Sequence, residues 1–280
     1  MIITFDGVSV TYNKNMGYEQ KALDCVNLAV ASGDFIGIAG RVGSGKSTFL
    51  QLLNGILKPS SGSVSVDGMS TTVKSNYKLI RRKIGLVFQY PEHQLFGATV
   101  YEDIAFGLKN LEIYENEEVM VKEAMALVGL DFECYYDQNP FSLSGGEQRR
   151  VAIAGVLARK PDVLALDEPS AGLDAVGRTQ LCQLLKSLHQ KGKTILMVSH
   201  DMDLIFEMSN RLLVFYQGKV FYDGLLDQAY DLKINFSEAG IAIPTLLDLS
   251  TKLRERNSGI LGFNNVEEGI KQILSLYGGK

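Results

Sequence analysis

Two periodicities of apolar and polar residues predict the strands and helices of this chain. Residues 2–12 and 21–30 alternate with a period of two, which predicts antiparallel strands with one polar face. Short apolar, β-branched runs, typical of buried strands, lie at 34–39, 84–88, 163–166, 194–198 and 211–216. Helical patterns lie near 46–55, 99–109, 115–129, 145–159, 175–191 and 201–209. This alternation predicts an α/β fold with a mostly parallel core sheet covered on both faces and an antiparallel N-terminal β subdomain.

The same pattern predicts how the chain is divided. Residues 92–160 are mainly helical and long enough to form a subdomain inserted between two strands of the sheet. A separate tail begins near residue 225, where Pro244 opens an amphipathic stretch and a last helix is predicted at about 265–277. We therefore expect one domain over residues 1–225 and a small C-terminal α/β domain over residues 226–280.

Composition narrows the class of protein. The 28 Lys and Arg and 32 Asp and Glu residues are mixed along the 280 residues, which argues against a nucleic-acid partner. Cys25, Cys134 and Cys182 are far apart, which indicates reduced thiols in a cytoplasmic protein. The N-terminus does not resemble a secretory signal, and no apolar run approaches the roughly 20 residues of a membrane span. Any work at a membrane would therefore depend on partners.

A phosphate-binding loop follows the run 34–39. The stretch GRVGSGKST comprises Gly40, Arg41, Val42, Gly43, Ser44, Gly45, Lys46, Ser47 and Thr48. It fits the pattern Gly-x-x-x-x-Gly-Lys-Ser between a buried strand and a helix, where backbone amides and the helix dipole favour phosphate. Lys46 can reach the β- and γ-phosphates, and the Ser47 hydroxyl can ligate Mg²⁺. The alternative is a Gly-rich turn without a ligand.

An acidic pair stands at the end of another predicted strand. The stretch VLALDEPSAGLD places Asp167 and Glu168 at the carboxyl end of the run 163–166, the edge at which open α/β sheets bind ligands. Asp167 would hold Mg²⁺ and Glu168 would act as general base. In isolation the pair could be an ordinary acidic strand end.

A third motif narrows the class further. Residues 142–162 begin with SLSGGEQRR, and with this motif the chain resembles the ATP-binding cassette (ABC) family over about residues 1–225. The resemblance implies that Ser144, Gly145 and Gly146 bind the γ-phosphate of an ATP held by a partner subunit. It also implies an adenine-stacking Tyr12, a Q-loop Gln89, a D-loop Asp174 and a switch His200. Taken alone, His200 would more simply be a surface residue at a helix start.

The resemblance implies a site shared by two chains. The expected catalytic residues are Lys46, Gln89, Glu168 and His200, with Mg²⁺ held by Ser47, Gln89 and Asp167. Tyr12 and the loop from Gly40 to Thr48 complete the half of the site on one chain. Ser144, Gly145, Gly146 and Asp174 would serve the ATP of the other chain, so that two ATP molecules join two cassettes head to tail.

Within the family, the chain is most similar to the ATPase subunits of energy-coupling factor (ECF) importers. The similarity lies in VFQYPEHQLFGATVYEDIAFG, LLNGILKPSSGSVSVDG, NPFSLSGGEQRRVAIAG and DEPSAGLDAVGR, and in a Pro-containing tail that in that group helps hold two ATPases together. Three departures leave the catalytic groups intact: Glu147 replaces the commoner glutamine, Ser170 replaces threonine, and Arg41-Val42 fill variable positions.

That resemblance implies an ATPase at the cytoplasmic face of the cell membrane, peripherally bound, that drives uptake of a vitamin or of a metal such as cobalt or nickel. Its partners would be a second ATPase, identical or paralogous, a transmembrane coupling protein and a substrate-binding membrane protein. The alternatives are a generic ABC importer ATPase for amino acids or metals and a soluble ABC ATPase. The single phosphate loop, with Lys46 and Asp167 only 121 residues apart (167 − 46), disfavours the soluble classes.

The coupling protein is expected to dock near Tyr90–Phe96. Gln89 ends a strand at the nucleotide edge, and Pro91 and Glu92 suit the first turn of a helix. Leu95 and Phe96 would then face the membrane partner. The alternative is a turn that packs on the helical subdomain of the same chain.

Overall fold

The computed structural model describes residues 2–14, 16–226, 228, 236–256, 263 and 266–277. In chain order, the strands are β1 (Ile3–Tyr12), β2 (Gln20–Val30), β3 (Phe35–Ala39), β4 (Ser61–Val66), β5 (Met69–Ser70), β6 (Ile84–Val87), β7 (Val163–Asp167), β8 (Thr194–Val198), β9 (Arg211–Tyr216) and β10 (Lys219–Leu225). The α-helices are α1 (Lys46–Leu53), α2 (Tyr77–Lys83), α3 (Val100–Asn110), α4 (Glu117–Leu127), α5 (Phe132–Tyr135), α6 (Gly145–Leu157), α7 (Ala175–Gln190), α8 (Met202–Met208), α9 (Thr245–Arg256) and α10 (Val266–Tyr277).

A six-stranded sheet carries the centre of the fold in the order β10-β9-β3-β8-β7-β6. Its strands pair in parallel except for β10, which pairs with β9 in the antiparallel sense at the edge. Every residue of β3, β6, β7 and β8 is buried. Such strands are apolar throughout because both of their faces are covered, and the predicted parallel core sheet is confirmed.

A second, antiparallel sheet has the order β2-β1-β4-β5. The alternation that predicted β1 and β2 is confirmed by burial on one face. β4 was not predicted, because it begins with the exposed and weakly patterned Ser61-Gly62-Ser63 and buries only Val64 and Val66. β10 also escaped prediction, since a partly exposed edge strand carries little apolar signal.

Two hydrophobic clusters lie on opposite faces of the six-stranded sheet. One lies between the two sheets and includes α1, with Phe49 stacked on Phe5 at 4.6 Å between ring centroids. The other joins the sheet to α7, α8 and the helices between β6 and β7. Side chains of β3 alternate between them, with Ile36 and Ile38 in the first cluster and Phe35 in the second.

The turn after β6 corrects one expectation. Leu95 is only 6% exposed and belongs to the cluster of the helical segment, so it does not face outward. Phe96 is 56% exposed, and its ring meets Phe106 edge-on at 4.5 Å. Leu95 therefore packs on the chain itself, as the alternative expected, while Phe96 remains on the surface and its docking to a membrane partner stays a prediction.

The tail packs against α8. Phe236, Ala239 and Leu247 are buried in the second cluster. At the start of α9, the backbone amide and the hydroxyl of Thr245 both donate to the Asp203 carboxylate at 2.8 Å. The predicted tail also covers residues 227, 229–235, 257–262, 264–265 and 278–280, which lie outside the described residues.

Candidate active site

The loop between β3 and α1 is built around glycines. Gly40, Gly43 and Gly45 have φ values of 148°, 79° and 107°. At Gly45 an added Cβ would lie 2.5 Å from the Ala22 carbonyl oxygen, so a larger residue would have to displace the strand beside the loop. Gly45 is also the N-cap of α1, whose amino terminus therefore opens onto the loop. This is the amide-lined geometry that binds phosphate.

Lys46 spans the loop. Its Nζ donates to the carbonyl oxygens of Gly40 at 2.6 Å and of Arg41 at 2.9 Å. Burial lowers the pKa of Lys46, while the nearby charges of Glu168 and Asp167 act to raise it. The ammonium group therefore rests on two weak, neutral acceptors, which phosphate oxygens can replace with stronger, charged ones.

The acidic pair and the histidine meet at the carboxyl ends of β7 and β8. Asp167 is the buried last residue of β7, and the next residue, Glu168, has a left-handed φ of 49°. The Glu168 amide donates to the Val198 carbonyl at 3.0 Å, and His200 Nδ1 lies 2.8 Å from Glu168 Oε2. Because a carboxylate only accepts hydrogen bonds, Nδ1 carries the hydrogen. His200 thus orients the carboxylate of Glu168.

These residues line one cleft of about 570 Å³. Of the predicted residues it contains Tyr12, Gly40, Arg41, Val42, Gly43, Gly45, Lys46, Ser47, Thr48, Gln89, Asp167, Glu168 and His200. The Tyr12 hydroxyl lies 3.1 Å from Thr48 Oγ1, which sets the ring beside the phosphate loop. Ser44 is buried within the loop, and its hydroxyl has no hydrogen-bond partner among the residues that the structure describes.

Sequence reasoning missed the part of the tail that reaches this cleft. Gly240, Ile241 and Ala242 also line it, and Gly240 lies against the side chain of Arg41. No local sequence pattern marks these residues as part of the site. Their position depends on the packing of the tail, which buries Phe236 and Leu247 in the second hydrophobic cluster.

The residues predicted to serve the ATP of a partner chain lie elsewhere on this chain. Ser144, Gly145, Gly146 and Asp174 line a separate groove of about 1050 Å³. Ser144 is the N-cap of α6 in a reciprocal capping box with Glu147, and Asp174 caps α7 by accepting from the Gly177 amide at 2.7 Å. The chain therefore presents a nucleotide cleft and a second, exposed helix amino terminus at different places.

The cleft also offers suitable ligands for Mg²⁺. Ser47, Gln89 and Asp167 line it together, and their side chains carry hard oxygen donors of the type that Mg²⁺ takes beside phosphates. Among the described residues, no group of three or more His, Cys, Asp and Glu is arranged to hold a metal. A site with few protein ligands fits Mg²⁺, since this ion keeps several waters and phosphate oxygens.

The fold and the cleft define a class, the phosphate-loop nucleotide hydrolases. Residues 23–171 match the ABC transporter family. The chain is 43% identical over 289 residues to energy-coupling factor transporter ATP-binding protein EcfA2 of Clostridium tetani, covering 100% of this chain and 99% of that protein. The EcfA2 of Streptococcus thermophilus is 42% identical over 260 residues, covering 91% and 92%. The chain belongs to the ABC transporter family, among its energy-coupling factor ATP-binding proteins, and is an ATPase.

Solved structures agree with this assignment. The cbiO1 protein of Clostridium perfringens, described as part of the ABC transporter complex cbiONQ, matches with a TM-score of 0.72 and 33% identity over 89% of this chain and 98% of that one. A dimeric post-hydrolysis state of the cassette MJ0796, bound to ADP and Pi, matches with a TM-score of 0.71 and 31% identity over 80% and 98%. Among the described residues, no helix is long and apolar enough to cross a membrane.

Proposed function

We propose that this ATPase is the motor subunit of an energy-coupling factor importer that takes up a vitamin or a transition metal such as cobalt or nickel. The observation that carries the proposal is the separation of the two half-sites. Lys46 and Glu168 line one cleft and Ser144 lines another, so a complete ATP site needs a second chain. The cbiO1 structure, described as part of a transporter complex, supports the transport role.

Two chains would hold two ATP molecules between them. The second chain is another copy or a paralogue, and the dimeric MJ0796 structure supports a paired arrangement. Residues 226–280 would form an accessory domain that helps hold the two ATPases together. Loss of the γ-phosphate contacts after hydrolysis would open the dimer and convert ATP turnover into motion.

Each residue of the cleft has a proposed role. Tyr12 stacks on adenine, and the loop amides together with Lys46 bind the phosphates. Ser47, Gln89 and Asp167 would hold Mg²⁺, which offsets the negative charge of the phosphates when bound. The Glu168 carboxylate accepts a proton from the attacking water, and its hydrogen bond to His200 keeps it aimed at that water.

The membrane partner would dock beside the turn Pro91–Gln94. A groove of about 510 Å³ lies there between the sheet and the helical segment, and Val87, Leu95, Phe106 and Val151 contribute to its lining. Its position next to Gln89 would link a transmembrane coupling protein to the ATP site. The chain would then lie peripherally on the cytoplasmic face of the membrane, with a substrate-binding membrane protein completing the importer.

Glu168→Gln tests the catalytic assignment. Loss of a general base should lower kcat by roughly 10²- to 10⁴-fold while ATP binding, measured with a fluorescent ATP analogue, is retained. Glu207→Gln is the matched control, since Glu207 on α8 pairs with Lys186 outside the cleft. A near-normal rate of ATP hydrolysis by Glu168→Gln would contradict the role of general base assigned to this carboxylate.

Purification of the tagged chain from solubilised membranes tests the transport assignment. Integral membrane proteins should co-purify with it in fixed proportion, and their identity would reveal the cargo class. Recovery of the chain free of membrane proteins would favour a soluble ABC ATPase instead.

A further inference from the structure

A buried arginine joins three segments of the chain. Arg149 on α6 is only 5% exposed. Its Nε and Nη2 donate to the two carboxylate oxygens of Glu92 at 3.1 Å each, and its Nη1 donates to the Ala171 carbonyl oxygen at 2.5 Å. The two-pronged contact with Glu92 and the single hydrogen bond to Ala171 fix the position of the guanidinium group relative to both partners.

The three segments belong to different halves of the ATP site. Glu92 follows Gln89 by three residues, and Gln89 lines the nucleotide cleft. Ala171 stands midway between Glu168 of the cleft and Asp174 of the second groove. Arg149 itself lies on the helix whose N-cap is Ser144. One guanidinium group therefore connects both strand-end segments of the cleft to the loop that serves a partner chain.

Burial makes this connection sensitive to geometry. A charged pair taken out of water contributes little net stability compared with apolar packing, but removing either partner leaves a costly unpaired charge. When the turn at Glu92 shifts, α6 is therefore expected to move with it, because Arg149 keeps its contact with Glu92. The partner-facing loop would follow the state of the cleft.

A second arginine has the same bonding without the same connections. Arg211 donates to both carboxylate oxygens of Asp223 at 2.7 and 2.8 Å and to Asp34 at 2.9 Å. It begins β9 opposite Ile36, near the start of β3 and away from the phosphate loop, which follows the end of that strand. Arg211 thus makes a two-pronged carboxylate contact of the same kind, partly exposed, at a place that connects neither half of the site.

We infer that Arg149 is a positioning residue that transmits ATP occupancy of the Gln89–Glu168 cleft to the Ser144–Gly146 loop of the same chain. That loop binds the ATP of the partner, so Arg149 links the two ATP sites of the dimer. The inference rests on the proposed function insofar as each ATP contacts two chains.

A tryptophan reporter tests the inference in the isolated chain. The chain contains no tryptophan, and Phe141 is 60% exposed just before the Ser144 loop, so Phe141→Trp reports on that loop alone. The titration uses MgATP at protein concentrations at which sedimentation velocity shows a monomer, so the response comes from ATP in the chain's own cleft. The coupled variant is Glu92→Gln with Arg149→Met, which avoids an unpaired buried charge.

The expected result distinguishes a role of Arg149 in coupling the cleft to the Ser144 loop from a role in stabilising the fold. The fluorescence response should be lost in Glu92→Gln/Arg149→Met and kept in the matched control Arg211→Met/Asp223→Asn. The Kd for a fluorescent ATP analogue should change by less than about fivefold, the lower end of a typical coupling effect. Arg149→Lys, which keeps the charge but not the two-pronged geometry, should give an intermediate response and remain folded.

Two results would overturn the inference. One is an equal response in the Arg149 and Arg211 variants, and the other is the absence of any response in a reporter chain that demonstrably binds ATP. Failure of the proposed function would look different, because the tagged chain would then be recovered free of integral membrane proteins, whatever the response of the tryptophan reporter.

Discussion

Glu147 holds an ionised carboxylate beside Ser144 at the start of α6. Its carboxylate accepts hydrogen bonds from the Ser144 amide at 2.8 Å, from the Ser144 hydroxyl at 2.6 Å and from the Tyr135 hydroxyl at 2.8 Å. These contacts hold its pKa at about 2, with the Ser144 hydroxyl as the largest cause. A hydroxyl has one hydrogen to donate, so Ser144 must release Glu147 before it can donate to a phosphate.

Glu147→Gln should change the acid stability of the protein. The pKa of Glu147 falls from 4.5 to about 2 on folding, so the ionised carboxylate stabilises the fold above pH 4.5 and this contribution is lost as the pH falls towards 2. The variant should therefore be less stable at neutral pH, and the difference should vanish through that interval. The effect is small because the group is mostly solvated.

Urea unfolding at a series of pH values measures this difference, with Glu133→Gln as the control at an exposed glutamate. A constant offset between the Glu147→Gln and unaltered curves across the whole interval would show that the carboxylate is not held in this way.

At the scale of elements, the packing of α8 against β3 depends on Gly37. A Cβ added to Gly37 would lie 2.4 Å from Ile205 Cγ2 and 2.7 Å from Ser209 Oγ, both of which must shift if a side chain is present. α8 begins at Met202, directly after the segment of His200. The packing of this helix on the sheet therefore bears on the short segment between β8 and α8 that carries His200.

Gly37→Ala should lower the free energy of unfolding by about 1–3 kcal/mol, the usual cost of overpacking a core. Urea unfolding measures the change. Ile205→Ala removes the methyl group that clashes, so the cost of Gly37→Ala should be smaller in that background. Strictly additive costs of the two substitutions would contradict a direct contact.

At the scale of the whole molecule, the groove beside Pro91–Gln94 is the proposed docking site for the membrane partner. Phe96 and Phe106 present their rings on the surface there, whereas Leu95 fills the core beneath them. Leu95 therefore stabilises the subunit from within, whereas the neighbouring Phe96 is exposed and available to contact a partner.

Phe96→Asp should weaken association with the membrane partner and leave the ATPase rate of the isolated chain unchanged. Leu95→Asp should instead unfold the helical segment, because it buries an unpaired charge. Retention of membrane proteins on the tagged chain and the ATPase rate are the two measurements, and Tyr114→Asp is the control at another exposed aromatic. Full retention by Phe96→Asp would remove this residue from the docking surface.

Much of the fold could be predicted from local patterns. β3, β7 and β8 are short apolar runs because both of their faces are buried, and the helices with clear periodicity lie close to their expected positions. Weakly patterned elements were missed, among them β4 and β10, whose pairing rather than composition makes them strands.

The candidate site likewise combines features that local sequence predicts with contacts that it does not predict. The phosphate loop is one contiguous stretch, so its residue types already imply its chemistry. The contact between Glu92 and Arg149 joins residues 57 positions apart, and the approach of Gly240 to Arg41 joins the tail to the loop. Neither contact leaves a trace in local periodicity.

The sequence by itself determined the class of fold and the ATPase family, because backbone hydrogen bonding, burial period and loop geometry act over a few neighbouring residues. Only the tertiary structure decided that Leu95 is core and Phe96 is surface, that the tail lines the cleft of the phosphate loop, and that Arg149 joins α6 to Glu92 and Ala171. Those outcomes depend on how distant elements pack against one another, and close packing is a property of the assembled core rather than of any segment.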